Sequence, residues 1–183
     1  MKPFAKYEFA QIRSADGEAA FFSHMGYFFA SPSVRRECGG YPLNDGPLYR
    51  WFIVRRKGEA RVLGFISIEQ RSDIVRLREG YLRAEARGRG LFGELRRQVL
   101  EHVDGLGLIC TARVQQTAAR FLEPHGFNVQ SSRGSWVTLE RQKYATSNQP
   151  DEPGRSPVHR TGQPAAGEAS RSHQPDPAAA ARA

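Results

Sequence analysis

A short segment rich in arginine and glycine, Arg87-Gly88-Arg89-Gly90, has the composition of a phosphate-binding loop. It follows an alternating, strand-like segment and precedes a helical stripe, so it would lead into a helix N-terminus. Amides at a helix start carry the positive end of the helix dipole, glycines allow close approach of the backbone, and arginines donate to phosphate oxygens. We predict a diphosphate site here; the alternative is an ordinary turn with solvated arginines.

A second segment downstream carries a pattern of its own. It reads Gln116-Thr117-Ala118-Ala119-Arg120-Phe121-Leu122-Glu123-Pro124-His125-Gly126-Phe127. This segment resembles the NxxAxxFYxxxGF helix and turn of the GCN5-related N-acetyltransferases, and Arg87 to Phe92 resembles the (R/Q)xxGx(G/A) signature of the same family. Phe92 departs from the small residue usual at that position. The resemblance extends over nearly all of Phe4 to Glu140.

The resemblance implies both a fold and a cofactor. The fold would be α+β, with a mixed, mostly antiparallel, seven-stranded sheet that is splayed between strands four and five and flanked by helices. Acetyl-CoA (coenzyme A) would bind in the gap, and an acceptor amine would attack the thioester directly, without an acyl-enzyme intermediate. The cofactor-binding residues implied in this way are Leu82, Arg83, Arg87, Gly88, Arg89, Gly90, Leu91, Phe92, Gly93, Gln116 and Phe121.

One position departs from the family in a way that affects the chemistry. Members commonly place a tyrosine before the xxxGF turn, where it protonates the leaving thiolate, and this sequence has Leu122 there. Three explanations stay open. Tyr81, His125 or a water protonates the thiolate; or the thiolate leaves unassisted, since a thiol pKa is about 8.5; or the domain binds acyl-CoA without turnover.

The general base is predicted among the carboxylates of the third and fourth strands. Glu79 and Glu69 lie where bases of the family occur, and the alternative for each is a solvated or salt-bridged strand residue. The catalytic candidates are therefore Glu79, Glu69, Tyr81 and His125. No metal site is predicted, because neither Cys38 nor Cys110 belongs to a CxxC pair and no histidines have zinc-ligand spacing.

The elements that must position these residues follow from periodicity and turn signals. The predicted order is strand, helix, three strands, helix, strand, helix, two strands. Asp16 is predicted to cap the first helix, and Ser31 to Pro47, with three Pro and three Gly, is predicted to be a loop. The predicted strands are Phe4 to Ile12, Leu48 to Val54, Arg61 to Glu69, Ile74 to Leu82, Leu106 to Val114, Phe127 to Gln130 and Ser135 to Glu140; the helices follow Asp16, follow Gly90, and cover Gln116 to Pro124.

The charge of the chain is unevenly distributed. The net charge is +8, but residues 145–183 hold four arginines and four acidic residues, so the positive excess lies in residues 1–144. Residues 145–183 are dominated by Pro, Ala, Ser and Gly, a composition that cannot bury enough apolar surface to fold. We therefore predict an acyltransferase domain over 1–144 and a disordered tail over 145–183.

The function predicted from the sequence is acyl transfer from coenzyme A to a small-molecule or peptide amine. A basic domain also attracts nucleic acid, so an enzyme that modifies a nucleic-acid base and a plain nucleic-acid-binding protein remain alternatives, beside a silent acyl-CoA-binding module. The start lacks a signal-peptide apolar stretch, and no run reaches about 20 apolar residues. The expected protein is cytoplasmic, without membrane contact, and a monomer or homodimer.

Overall fold

The computed structural model describes residues 4–143, which are organised around one seven-stranded sheet in the order β1-β2-β3-β4-β5-β7-β6. The predicted tail lies outside the described residues. The strands are β1 Tyr7–Ile12, β2 Tyr49–Arg56, β3 Val62–Gln70, β4 Ile74–Leu82, β5 Ile109–Gln115, β6 Asn128–Arg133 and β7 Trp136–Arg141. The helices are α1 Glu18–Ala30, α2 Pro32–Glu37, α3 Leu91–Leu106 and α4 Gln116–Ala119, with 3-10 turns at Ser14–Asp16, Ala84–Ala86 and Glu123–His125. Across residues 4–143 no helix is long and apolar enough to cross a membrane.

Strands β4 and β5 make the parallel pairing of the described sheet, and the other five pairings are antiparallel. Their register runs from Ile74 opposite Ile109 to Leu77 opposite Ala112. Beyond Leu77, β4 continues to Leu82 beside β3, while β5 continues beside β7. The two strands therefore part after Leu77. This confirms the predicted mixed sheet, and its splay between strands four and five.

Each face of the sheet is covered by its own apolar layer. Helix α3 packs its stripe of Leu91, Leu95, Val99 and Val103 on one face, and all four side chains are fully buried. Helix α1 packs Phe21, Met25 and Phe28 on the other face, around Trp51 and Phe65. Burying a side chain of this size stabilises the fold by roughly 1.5–3 kcal/mol, so the two layers fix both helices on the sheet.

A bulge interrupts β4 next to the point of separation. Gly80 pairs with Ile66 and Leu77 pairs with Ile68, so Arg78 and Glu79 together face the single residue Ser67. The extra residue reverses the alternation of side chains along the rest of the strand. Leu77, before the bulge, packs in the α3 layer, whereas the next odd-numbered residue after the bulge, Tyr81, packs in the α1 layer.

Several element predictions need correction. The strand predicted from Leu106 begins at Ile109, because α3 includes Leu106 and is capped by the left-handed Gly107; β1 begins at Tyr7 and not at Phe4, and β6 ends at Arg133 and not at Gln130. The predicted loop from Ser31 to Pro47 contains α2, because the Ser31 hydroxyl accepts the Val34 amide at 3.4 Å and Pro32 occupies the first helical position. Asp16 lies in a 3-10 turn, and Gly17 is the N-cap of α1. The helix predicted over Gln116 to Pro124 ends at Ala119, where the Phe121 and Leu122 amides donate to carbonyls only three residues back and the chain tightens into 3-10 bonding.

Candidate active site

A cleft of about 330 Å³ opens where β4 passes into α3. Its walls come from the separated end of β4, the loop that follows, the first turn of α3 and the last residue of α2. The residues that line it are Glu37, Gly80, Tyr81, Leu82, Arg87, Gly88, Gly90, Leu91, Phe92 and Gly93. The structure thus brings together seven of the eleven residues that the sequence predicted for cofactor binding, and places them beside the gap in the sheet.

The loop before α3 has the backbone of an anion-binding turn. Gly88 and Gly90 adopt left-handed conformations, with φ of 72° and 75°, which glycine reaches without the steric cost of a Cβ. Gly90 is the N-cap of α3, and its carbonyl accepts the Glu94 amide at 3.1 Å. The amides of residues 91–93 precede that first helical bond and have no acceptor within the helix. These observations fit a diphosphate group of coenzyme A.

The three predicted arginines are used differently. Arg87 lies in the wall: its Nε donates to the Leu82 carbonyl at 2.9 Å, and its Nη2 lies 2.5 Å from Glu37 Oε2. Arg89 and Arg83 are not among the lining residues. Arg89 donates to the Tyr7 hydroxyl at 3.1 Å. The Arg83 side chain donates to the Val62 carbonyl at 2.9 Å and stacks on Tyr27.

Phe92 and Gly80 form the floor of the cleft as a pair. A Cβ placed on Gly80 would lie 2.7 Å from Cζ of Phe92, so only glycine leaves room for this ring. The bulky Phe92 at the last position of the loop motif is therefore accommodated because Gly80 on β4 has no side chain. Sequence reasoning missed Gly80, although a glycine inside a strand is a sign of close approach. It also missed Glu37, which no motif marked.

Tyr81 is the phenol on the cleft wall. Its ring packs 5.8 Å from Phe28 and 6.4 Å from Phe65, between centroids, and the residue is 8% exposed. Burial raises the pKa of Tyr81, and the nearby Glu37 carboxylate raises it further. The phenol therefore keeps its proton at neutral pH, as a proton donor must.

The two candidate bases lie on the same sheet face as Tyr81, in different surroundings. Glu69 is buried, bonded through Oε1 to Arg71 Nε at 2.8 Å and 3.7 Å from Arg76 Nη1. Glu79 lies in the bulge next to Gly80, with its Oε2 3.1 Å from the Ser67 hydroxyl and its Oε1 3.7 Å from Arg78. Glu79 is the direct sequence neighbour of Gly80, which lines the cleft, whereas Glu69 forms ion pairs with two arginines.

The remaining catalytic candidate, His125, lies elsewhere. It is not among the residues that line the cleft, and its backbone carbonyl accepts Arg141 Nε at 2.8 Å. Burial lowers the pKa of His125, and the positive charges of Arg96 and Arg141 lower it further. The structure therefore places this histidine beside two arginines and gives it no contact with the cleft wall.

The downstream motif packs as structure around the site. Leu122, at the family's tyrosine position, is buried in the α3-side core. The Gln116 amide donates to the Ser135 carbonyl at 2.8 Å, and Phe121 is 54% exposed with the Arg120 guanidinium 4.8 Å from its ring. Neither Gln116 nor Phe121 lines the cleft. Within residues 4–143 no group of three or more His, Cys, Asp or Glu is arranged to hold a metal ion.

The glycine spacing of the loop also fits a different pattern, G-x-G-x-x-G, over Gly88, Gly90 and Gly93. In dinucleotide-binding folds that pattern belongs to βαβ units of a parallel sheet. Here the strand before the loop has antiparallel β3 on one side and touches parallel β5 only up to Leu77. The sheet is therefore not of the dinucleotide-binding type.

Comparison with known proteins gives matches at the level of structure alone. No family model matches the sequence, and no curated protein matches it either. Among solved structures, the Escherichia coli ribosomal-protein-S18-alanine N-acetyltransferase is similar at 14% identity and a TM-score of 0.56, covering 78% of this chain and 98% of that one.

Two further structures give the same result. An acyl-CoA N-acyltransferase from Pseudomonas aeruginosa shows 15% identity and a TM-score of 0.54, covering 74% of this chain and 99% of that one. The catalytic domain of the Tetrahymena GCN5 histone acetyltransferase, in complex with coenzyme A, shows 12% identity and a TM-score of 0.57, covering 78% of this chain and 96% of that one. The chain therefore has the GCN5-related N-acetyltransferase fold.

Proposed function

We propose that this protein is an N-acyltransferase that moves an acetyl or similar acyl group from coenzyme A to an amine by direct attack. One observation carries the proposal: the glycine loop and the free amides at the start of α3 line a cleft, and this cleft lies beside the part of β4 that is no longer paired with β5. An anion site and an unpaired strand edge thus lie together. The acyltransferase unit is proposed to occupy residues 1–144.

The cleft matches the two parts of coenzyme A that need holding. The amides of residues 91–93 and the loop at Gly88 and Gly90 would bind the diphosphate. The separated end of β4 is paired with β3 on one side, so its other edge presents N–H and C=O groups that an extended pantetheine would bond. Coenzyme A supplies the thioester that makes the acyl group reactive.

Two side chains have suitable positions for the proton transfers. Glu79 would accept a proton from the acceptor ammonium, because it lies next to the cleft and its carboxylate is oriented by Ser67. Tyr81 would donate a proton to the departing sulfur, because it lines the cleft and burial keeps it protonated. Leu122 is enclosed in the core and has no proton to give.

The acceptor is proposed to be a small-molecule or peptide amine. Two of the structural relatives are named for protein acceptors, an alanine of ribosomal protein S18 and histones, which supports this class. A second candidate function, an acyl-CoA-binding module without turnover, is favoured by the buried leucine at position 122. Modification of a nucleic-acid base is supported only by the positive charge of the chain.

A thiol-release assay separates these functions. The purified protein is incubated with acetyl-CoA and, one at a time, amino acids, polyamines, aminoglycosides, peptides and DNA. We expect thiol release with at least one amine acceptor, and native mass spectrometry should detect copurified coenzyme A. Binding of coenzyme A with no thiol release from any acceptor would favour the silent module. A nucleic-acid partner would show an affinity that falls steeply with salt.

A further inference from the structure

A second cavity, of about 320 Å³, lies at the other end of the sheet. It is lined by Arg13, Pro47, Leu48, Arg50, Gln70, Arg71 and Ser72. Gln70 also contacts His102, whose Nε2 lies 3.1 Å from Gln70 Oε1. His102 follows Leu91 by eleven residues along α3, which corresponds to about 16 Å at 1.5 Å per residue. This cavity is therefore separate from the cleft at the start of that helix.

Two of its arginines occupy neighbouring positions, Arg13 directly after β1 and Arg50 on β2. The register of β1 and β2 ends with Ile12 opposite Trp51. Arg13 keeps an extended backbone, with φ of −143° and ψ of 142°, so the same register carried one residue further would set it opposite Arg50. Like charges directly opposite each other destabilise a pair of strands. The fold nevertheless places a third arginine, Arg71, at the same cavity.

Nearby acidic groups compensate this charge poorly. Arg50 has no ion pair or side-chain hydrogen bond within residues 4–143. Arg13 reaches Asp16 only at 3.9 Å, and the Asp16 side chain is 67% exposed. The carboxylate of Glu69 that binds Arg71 is shared with Arg76. The positive charge at the cavity is therefore larger than its protein partners neutralise.

A buried donor is also left over. The Nε of Arg13 is buried and has no hydrogen-bond partner in the described part of the chain. The terminal nitrogens of this guanidinium are therefore the ones that a ligand in the cavity can contact. Gln70 and Ser72 add further polar groups to the wall.

We propose that the cavity between Arg13, Arg50 and Arg71 is a binding site for a phosphate-class oxyanion, either free phosphate or the phosphate group of a small metabolite. Guanidinium groups from the end of β1, the start of β2 and the turn between β3 and β4 would contact different oxygens of a tetrahedral anion. The anion would neutralise the charge of the neighbouring arginines. The site is independent of the proposed acyl transfer, because no residue lines both cavities.

Isothermal titration with inorganic phosphate tests the site. Saturating coenzyme A is present so that the α3 cleft is occupied, and Gly93→Trp provides the same block if coenzyme A does not bind. We expect phosphate to bind wild type, and Arg13→Gln and Arg50→Gln each to weaken binding at least tenfold. Arg56→Gln is the matched control, since Arg56 lies on the same strand as Arg50, at its other end. It should bind as wild type.

The unfolding temperature provides a second test, because the difference between Arg50→Gln and wild type should change sign when phosphate is added. In phosphate-free buffer, Arg50→Gln should unfold at the same or a higher temperature than wild type, because repulsion with Arg13 is relieved. In millimolar phosphate the order should reverse. The proposal is overturned if wild type does not bind phosphate, if Arg56→Gln loses binding equally, or if a short oligonucleotide binds through Arg50 while inorganic phosphate does not.

Discussion

In the proposed mechanism the leaving thiolate and the attacking amine depend on two different residues, Tyr81 in the cleft wall and Glu79 next to it. Tyr81 and Glu79 are separated by Gly80, and the bulge in β4 determines where each side chain lies. Tyr81 packs in the α1-side layer and is one of the residues that line the cleft, whereas the Glu79 carboxylate is hydrogen-bonded by the buried Ser67. We therefore propose that the proton donor is a tyrosine on the fourth strand.

Replacing Tyr81 with phenylalanine tests this assignment. We expect the turnover number for thiol release to fall about 100-fold, because the phenolic proton is removed. Coenzyme A affinity should change little, since the ring and its packing remain. Because the pKa of Tyr81 is raised above its ordinary value of 10, the difference should persist across the neutral range. Tyr41→Phe, at a highly exposed tyrosine, is the control; equal rates for Tyr81→Phe and wild type would show that the thiolate leaves unassisted.

Glu37 is the acidic residue among those that line the cleft. Its carboxylate lies in the cleft wall against Arg87 and opposes the charge of a diphosphate. Glu37→Gln should therefore tighten coenzyme A binding about threefold, of the order of one exposed ion-pair energy. Titration calorimetry measures the change, and Glu59→Gln, at an exposed residue outside the cleft, should leave the affinity as it is. Weaker binding by Glu37→Gln would contradict the placement of the diphosphate.

At the scale of the element, the bulge in β4 depends on one buried hydroxyl. Ser67 is fully buried, and its Oγ accepts the Glu79 amide at 3.2 Å. Ser67→Ala should lower the free energy of unfolding by about 1–2 kcal/mol, because the buried amide loses its acceptor. Urea unfolding measures this. Ser132→Ala, on the exposed strand β6, should change stability by less than about 0.5 kcal/mol, and equal losses for the two variants would mean that the bulge is held by other contacts.

The elements that periodicity predicted well were those with one buried face. β4 has the predicted bounds of Ile74 to Leu82, and the stripe of α3 begins after Gly90 as its spacing indicated. Helix α2 was missed because its six residues bury only Val34, too few to show a period. The bulge at Glu79 was missed for a different reason: it is fixed by the partner strand and by Ser67, which lies twelve residues away in the chain.

At the scale of the whole molecule, one ion pair joins the end of α3 to the last described strand. Arg141 is buried and contacts both carboxylate oxygens of Asp104, with Nη2 3.0 Å from Oδ2. It also donates to the carbonyl of His125. This arrangement holds β7, and through it β5, in place while β4 separates from β5. Arg141 is paired with Cys110, which is paired with Val75, so the ion pair lies where β4 and β5 are still joined.

Asp104→Asn should therefore destabilise the whole fold. Removing the charge that faces a buried guanidinium should lower the free energy of unfolding by about 2 kcal/mol, less than for a fully buried pair because Asp104 is about one-third exposed. Chemical unfolding with coenzyme A absent measures the effect. Asp73→Asn, at an exposed residue of the β3–β4 turn, is the control, and no difference between the two variants would contradict the role of this pair.

The candidate site was predictable only in part. The residues that were predicted differ from those that were missed for a physical reason. A contiguous loop between a strand and a helix carries its own signal, so Arg87 to Gly93 stood out in the sequence. Glu37 comes from a helix fifty residues earlier, and its place in the wall depends on how α2 packs. His125, Gln116 and Phe121 were chosen from a motif whose residues, in this chain, lie outside the cleft wall.

Coenzyme A binding to two glycine variants of the same helix tests whether the cleft at the start of α3 holds the cofactor. Gly93 lines the cleft and Gly105 lies near the other end of α3; both have ordinary helical backbone, and a Cβ added to either would meet no other element of the fold within 4 Å. Gly93→Trp should fill the cleft and weaken binding at least tenfold by titration calorimetry, while Gly105→Trp should bind as wild type. Unchanged affinity in a folded Gly93→Trp protein would contradict the account.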